Sequence, residues 1–160
     1  MISTTGIQII HATTTHLTKL VEMWQAIDAF PDMERPFGGD HQNKPEQARQ
    51  LLEHAINSSD AIVLLARNQK QILGTISGHV FDKPAVNLNR VGVIYGLWVE
   101  AAYRRQGIAQ YLLSTLEKEL KHGGAQAFQV GWDCGNEVAA QWWQHRGYMP
   151  YEVIASKVAE

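Results

Sequence analysis

The stretch YRRQGIAQYLL, Tyr103 to Leu113, sets two arginines, a glycine and an alanine directly before an apolar helical pattern. Ile108, Leu112, Leu116 and Leu120 then recur at helical spacing. A glycine inside a helix costs about 1 kcal/mol relative to alanine, so Gly107 calls for a compensating role. The first N–H groups of a helix lack intrahelical partners, and the helix dipole adds partial positive charge there. Tiny side chains at Gly107 and Ala109 let an anion approach those amides, and Arg104 and Arg105 add charge at the rim. The stretch therefore reads as a diphosphate cradle between a strand and a helix. Neither G-x-G-x-x-G nor G-x-x-x-x-G-K-[ST] occurs, so dinucleotide-fold and P-loop chemistry lack support.

Working outward, VGVIYGLWV (Val91–Val99) feeds the cradle as a β-rich run, and its Gly92 and Gly96 mark a bulge or close backbone approach. The helix leaving the cradle ends at KHGG, where glycine takes the left-handed C-terminal position. Upstream, GIQIIHA reads as a strand, and TTT supplies N-cap hydroxyls. Leu17, Leu20, Val21, Trp24 and Ile27 mark a first helix. Pro45 opens a second, with Ala48, Leu51, Leu52, Ala55 and Ile56 as its apolar face. DAIVLLA and ILGTISGHVF read as a hairpin. Downstream come a strand in AQAFQVGW, a helix in NEVAAQWWQHR stopped by Gly147, and a final alternating strand in YEVIASKV. The order β-α-α-β-β-β-α-β-α-β predicts an α/β domain over residues 1–160, with a mixed, mostly antiparallel sheet flanked by helices.

The chain has 160 residues, 45% of them hydrophobic, with a formal net charge of −2. That composition is globular, and it offers no overall positive field for nucleic acid or an anionic membrane. No apolar run is long enough to span a bilayer, and the N-terminus lacks the pattern of a signal peptide. With Cys134 as its one cysteine, the chain is expected in the reducing cytoplasm. Cys134 itself reads as a small buried or half-buried thiol, not a nucleophile. His11, His16, His41 and His54 show no metal-ligand spacing, so no metal is expected.

LWVEAAYRRQGIAQYLL resembles the acetyl-CoA-binding segment of the GNAT N-acetyltransferase superfamily, [QR]-x-x-G-x-[GA], through Arg104, Gly107 and Ala109. NEVAAQWWQHRGY resembles that superfamily's N-x-x-A-…-G-[FY] segment through Asn136, Ala139, Gly147 and Tyr148. The resemblance implies a GNAT-like acyl-CoA N-acyltransferase fold and acetyl transfer from acetyl-CoA to a primary amine, by direct attack in a ternary complex. It places the pantetheine arm along Leu97, Trp98 and Val99, and the pyrophosphate on amides from Arg105 through Gln106, Gly107 and Ile108 to Ala109. Asn136 takes a cofactor-arm position, and the Val99 N–H the oxyanion position. The analogy also favours a homodimer.

One departure stands out. The family's tyrosine, which protonates the departing thiolate, belongs to a pair that here is Trp142–Trp143, and indole is a donor without useful acidity. A non-catalytic acyl-CoA-binding sensor is therefore the alternative reading. Strand alternation puts Tyr95, Leu97 and Val99 on one face and Trp98 and Glu100 on the other. Asp133 is the candidate base, Tyr95 a pocket-shaping residue, and Glu100 a solvated strand-end carboxylate; Val93 stands where some relatives carry a carboxylate. The long break from Asp28 to Pro45 mixes Asp28, Asp32, Glu34 and Asp40 with Phe30, Met33 and Phe37, chemistry suited to a small cationic amine.

Overall fold

The computed structural model describes residues 6–29, 45–69, 71–84, 87–157 and 159. Five strands, β1 (Gln8–His11), β2 (Ala61–Arg67), β3 (Ile72–Asp82), β4 (Arg90–Val99) and β5 (Ala127–Val130), form one sheet in chain order. The first four pair antiparallel, β2 with β3 and β3 with β4 through short connections and β1 with β2 across a long helical excursion. β5 pairs parallel to β4, because the intervening helix α3 (Ile108–His122) carries the chain back across the sheet. Helices α1 (Leu17–Ala29) and α2 (Pro45–Asn57) precede β2, and α4 (Glu137–Gln144) follows β5. The architecture is an open mixed sheet with helices on both faces, as expected.

Strand alternation divides the core in two. Val63 and Leu65 of β2 pack with Leu17, Leu20, Val21 and Leu52 of α1 and α2. Leu64, Ala66, Leu73, Ile76 and Ile94 point to the other face, against Ile108, Leu112, Leu113, Leu116 and Leu120 of α3 and Trp143 of α4. Burying each such side chain contributes roughly 1.5–3 kcal/mol, so α3 is fixed chiefly by its apolar stripe. Thr75 is wholly buried between these layers, and its hydroxyl donates to the Leu64 carbonyl at 3.0 Å.

Four expectations need correction or fall elsewhere. Leu51 is exposed, because the inward register of α2 centres on Leu52. The segment 151–157 forms no strand: Val153 and Ile154 are 82% and 88% exposed, and alternation without a hydrogen-bonding partner builds no ladder. Cys134 is exposed, since it lies on the turn closed by the Asn136 N–H donating to the Asp133 carbonyl. Of the break after α1, Phe30, Asp32, Met33, Glu34, Phe37, Asp40 and His41 lie outside the described residues. Among the described residues no helix is long and apolar enough to cross a membrane, and no three metal-ligating side chains cluster.

Candidate acyl-carrier cleft

β4 creates the site by bulging against β3 and outrunning β5. Against β3, Trp98 opposes Thr75 and Tyr95 opposes Ser77, so Gly96 and Leu97 share one position opposite Ile76. Such a bulge needs a left-handed residue, and Gly96 supplies φ +65°. The Trp24 indole covers it, 3.3 Å from where a Cβ would stand. The bulge overturns the expected facing. Tyr95 meets Trp24 and His79 on the α1 side, with ring centroids 6.2 and 5.6 Å apart. Leu97 and Val99 instead join the α3 core. Burial raises the Tyr95 pKa, which keeps the phenol neutral and fits a shaping role.

Against β5, the parallel ladder stops at Ile94–Val130. β4 continues to Val99 with no strand beside it on that edge among the described residues. The Glu100 N–H donates to the Leu73 carbonyl at 2.8 Å. Alternate residues of an antiparallel ladder point opposite ways, so the Val99 N–H turns from β3 toward the opened edge.

A turn at Ala101–Tyr103 then leads to the cradle. Arg105 and Gly107 both take left-handed backbone, φ 63° and 81°. From Arg105 to Gln110, six successive N–H groups donate to no backbone carbonyl among the described residues; the first to do so is Tyr111, onto Gly107 at 3.0 Å. A Cβ on Gly107 would meet nothing within 4 Å, so the concavity is open where an anion would approach. Successive amides in such a turn form an anion-binding nest.

Leu97, Trp98, Val99, Arg104, Arg105, Gly107, Ile108, Ala109 and Asn136, nine of the ten residues expected at the cofactor, line one cleft of about 830 Å³. Gln106 does not line it, and its side chain donates back to the Ala102 carbonyl. Arg104 differs from its expected place at the rim. Its Nε donates to the Val99 carbonyl at 2.9 Å and its guanidinium lies 4.7 Å from the Trp98 ring centroid. Asn136 caps α4, its Oδ1 accepting from the Ala139 N–H at 3.1 Å.

Neither Asp133, the candidate base, nor Glu100 lines the cleft. Asp133 sits on the exposed turn before α4, outside the lining. Glu100 is engaged by Lys19 of α1 at 2.7 Å, and that hydrogen bond raises the lysine's pKa. Trp143, at the family's tyrosine position, is 5% exposed and wedged edge-on between Trp142 and Tyr148. The Tyr148 hydroxyl donates to Glu117 at 2.5 Å; burial and then that bond push its pKa far up.

The lining also includes Gln110, His145 and Arg146, which the sequence reading did not single out, and Trp142 of the tryptophan pair. In sequence Arg146 is an ordinary cation at the end of a helix, and nothing in its neighbours says which way it turns. The amide run and the opened strand edge fit a long ligand with a diphosphate in its middle, the chemistry of an acyl-CoA.

Comparison with known proteins agrees with this geometry. A GCN5-related N-acetyltransferase from Ralstonia eutropha JMP134 superposes with TM-score 0.82 at 16% identity, covering 97% of this chain and all of that one. A "predicted acetyltransferase" from Clostridium acetobutylicum, solved with acetyl-CoA, gives 0.77 at 17%, covering 95% and 96%. An aminoglycoside acetyltransferase from an uncultured soil metagenomic sample, in complex with sisomicin, gives 0.70 at 17%, covering 98% and 97%. These show the fold. The family model described as "Acetyltransferase (GNAT) family" matches residues 24–148, from Trp24 over the bulge to Tyr148 behind the cleft, and the chain belongs to that family.

Proposed function

We propose that the protein transfers an acetyl group from acetyl-CoA to a primary amine of a small cationic molecule, by direct attack while both are bound. The observation that carries this reading is the run of six unpaired amides, Arg105 to Gln110, in one cleft with the opened edge of β4. Acetyl-CoA supplies the activated thioester, and the chain supplies binding and orientation. The cradle amides take the diphosphate, and the opened edge from Leu97 to Val99 offers backbone groups to the pantetheine arm, the Val99 carbonyl being already engaged by Arg104. The Val99 N–H, turned into the gap, is the donor for the negative charge that develops on the carbonyl oxygen. Tyr95, with Trp24 and His79, walls the opposite side of the bulge and shapes the amine's approach. Trp143 lends no proton. A thiol has an intrinsic pKa near 8.5, so the carrier's sulfur departs as thiolate without a strong acid. The acidic composition of the Asp28–Pro45 break and the aminoglycoside-bound neighbour support a cationic acceptor.

Calorimetric titration with acetyl-CoA, against pantetheine as control, tests the cradle. Release of free thiol on adding a panel of primary amines tests the reaction. Micromolar binding that requires the diphosphate, followed by amine-dependent release, is the expected result. The burial of Trp143 at the position where the family resemblance implies a tyrosine favours one second reading, a domain that binds acyl-CoA as a sensor. Tight binding with no thiol release from any amine would establish that reading instead.

A further inference from the structure

One cation in the cleft is held in place yet has no counter-charge. The Arg146 Nε donates to Gln110 Oε1 at 2.5 Å and its Nη1 to the Trp142 carbonyl at 2.8 Å. Its guanidinium lies 3.6 Å from the centroid of the Trp142 ring. Among the described residues no carboxylate pairs with it. Partial burial lowers its pKa without removing its charge at neutral pH. Two hydrogen bonds and an indole thus fix a guanidinium beside the first turn of α3, leaving Nη2 uncommitted.

Rigid, partly desolvated guanidinium groups favour phosphate, whose oxygens accept in the plane of the fork. The diphosphate already has six amides. Arg104 is turned onto Val99, and Gln110, which anchors Arg146, is the last residue of the amide run. The guanidinium therefore stands just beyond the cradle, where a second phosphate on the same ligand would lie. A phosphate monoester carries nearly two charges at neutral pH, against one for each phosphate of a diphosphate bridge.

We infer that Arg146 is the binding residue for the ribose 3′-phosphate of the acyl carrier, with Gln110 and Trp142 as its positioning residues. The inference rests on the acetyl-CoA reading above. It makes the cleft selective for the phosphorylated nucleotide end, independently of any acyl chemistry.

The test is calorimetry with CoA and with 3′-dephospho-CoA on the full chain, its Arg146→Ala variant and its Arg146→Lys variant, each first checked for an unchanged melting transition. The wild-type chain is expected to prefer CoA about tenfold, the usual scale of one charged hydrogen-bonded contact. Arg146→Ala should lose that preference and bind both nucleotides as the wild type binds the dephospho form. Arg146→Lys should recover only part of it, since an ammonium lacks the fork that Gln110 and Trp142 hold. A preference retained in Arg146→Ala, or absent from the wild type, overturns the inference. So does an equal loss for both nucleotides, which would move the contact to the diphosphate. Failure of the wild-type chain to bind either nucleotide removes instead the acyl-carrier reading beneath it.

Discussion

Replacing Gly107 with alanine separates backbone strain from ligand contact at the centre of the site. Gly107 has φ +81°, and an added Cβ would meet nothing within 4 Å, so the folded chain suffers no clash. What remains is the cost of left-handed backbone for an L-residue, about 1–2 kcal/mol. For a chain of this size that lowers Tm by roughly 2–4 °C per kcal/mol. The methyl group, however, would occupy open space at a residue that lines the cleft. Displacing a phosphate from even one amide removes a charge-assisted hydrogen bond, roughly 1.5–3 kcal/mol. Affinity for acetyl-CoA should then fall about ten- to a hundredfold. Gly74→Ala is the contrasting control: its Cβ would lie 2.6 Å from the Trp98 carbonyl oxygen and 3.3 Å from Leu112 Cδ1. That variant should lose stability well beyond the strain term, because backbone cannot yield as a side chain does. Scanning calorimetry and titration calorimetry on both variants decide the matter. Unchanged affinity in Gly107→Ala, alongside the expected fall in Tm, would refute the amide cradle.

Three groups are held protonated in the folded state: Lys19 by its bond to Glu100, Tyr95 by burial, and Tyr148 by burial and Glu117. Each folded pKa lies above the ordinary value of 10.0 for tyrosine or 10.5 for lysine, so their stabilisation is complete below about pH 10 and lost as pH rises further. Urea midpoints should hold steady to pH 9 and drop beyond pH 10, with a shallower drop in Tyr148→Phe; a midpoint that rises there would contradict the assignment. Trp143→Phe should cost about 1–2 kcal/mol of packing. Its turnover should stay within about threefold of wild type, whereas losing a true general acid costs roughly 10²–10⁴-fold. A hundredfold fall in kcat at unchanged acetyl-CoA affinity would make the indole a participant. Asn136→Ala should lose about 1 kcal/mol with the α4 cap. Asn136→Asp should keep the cap yet weaken acetyl-CoA binding by charge repulsion, both readable by melting and titration.

The period of α3 was legible because Ile108, Leu112, Leu116 and Leu120 recur without interruption, and a buried stripe leaves that trace in any helix. The cradle was legible for a related reason: a left-handed N-cap with open space around it leaves a glycine in the text. Direction was harder to read. Gly96 signalled a bulge, but alternation carried across it put Tyr95 on the wrong face, since one extra residue reverses every side chain beyond. YEVIASKV alternates as a strand should, yet pairing depends on a neighbour that sequence alone does not supply. The arginines show the same limit. Arg104 sits in the motif and turns back to the strand, while Arg146, forty-two positions later by numbering, reaches Gln110 at the cradle's end.

The sheet's strand order has a further consequence for how the molecule assembles. From β2 to β4 each strand pairs with its predecessor across a short connection, whereas β1 reaches β2 only across the segment that holds α1 and α2. β5 joins only after α3 has crossed over, and over four rungs. Contacts between distant parts of a chain form late and at greater entropic cost. The acyl-carrier gap therefore coincides with the seam between an early meander and a late-docking edge. A ligand laid along that seam touches both sides at once, which ties its occupancy to the closing step of folding.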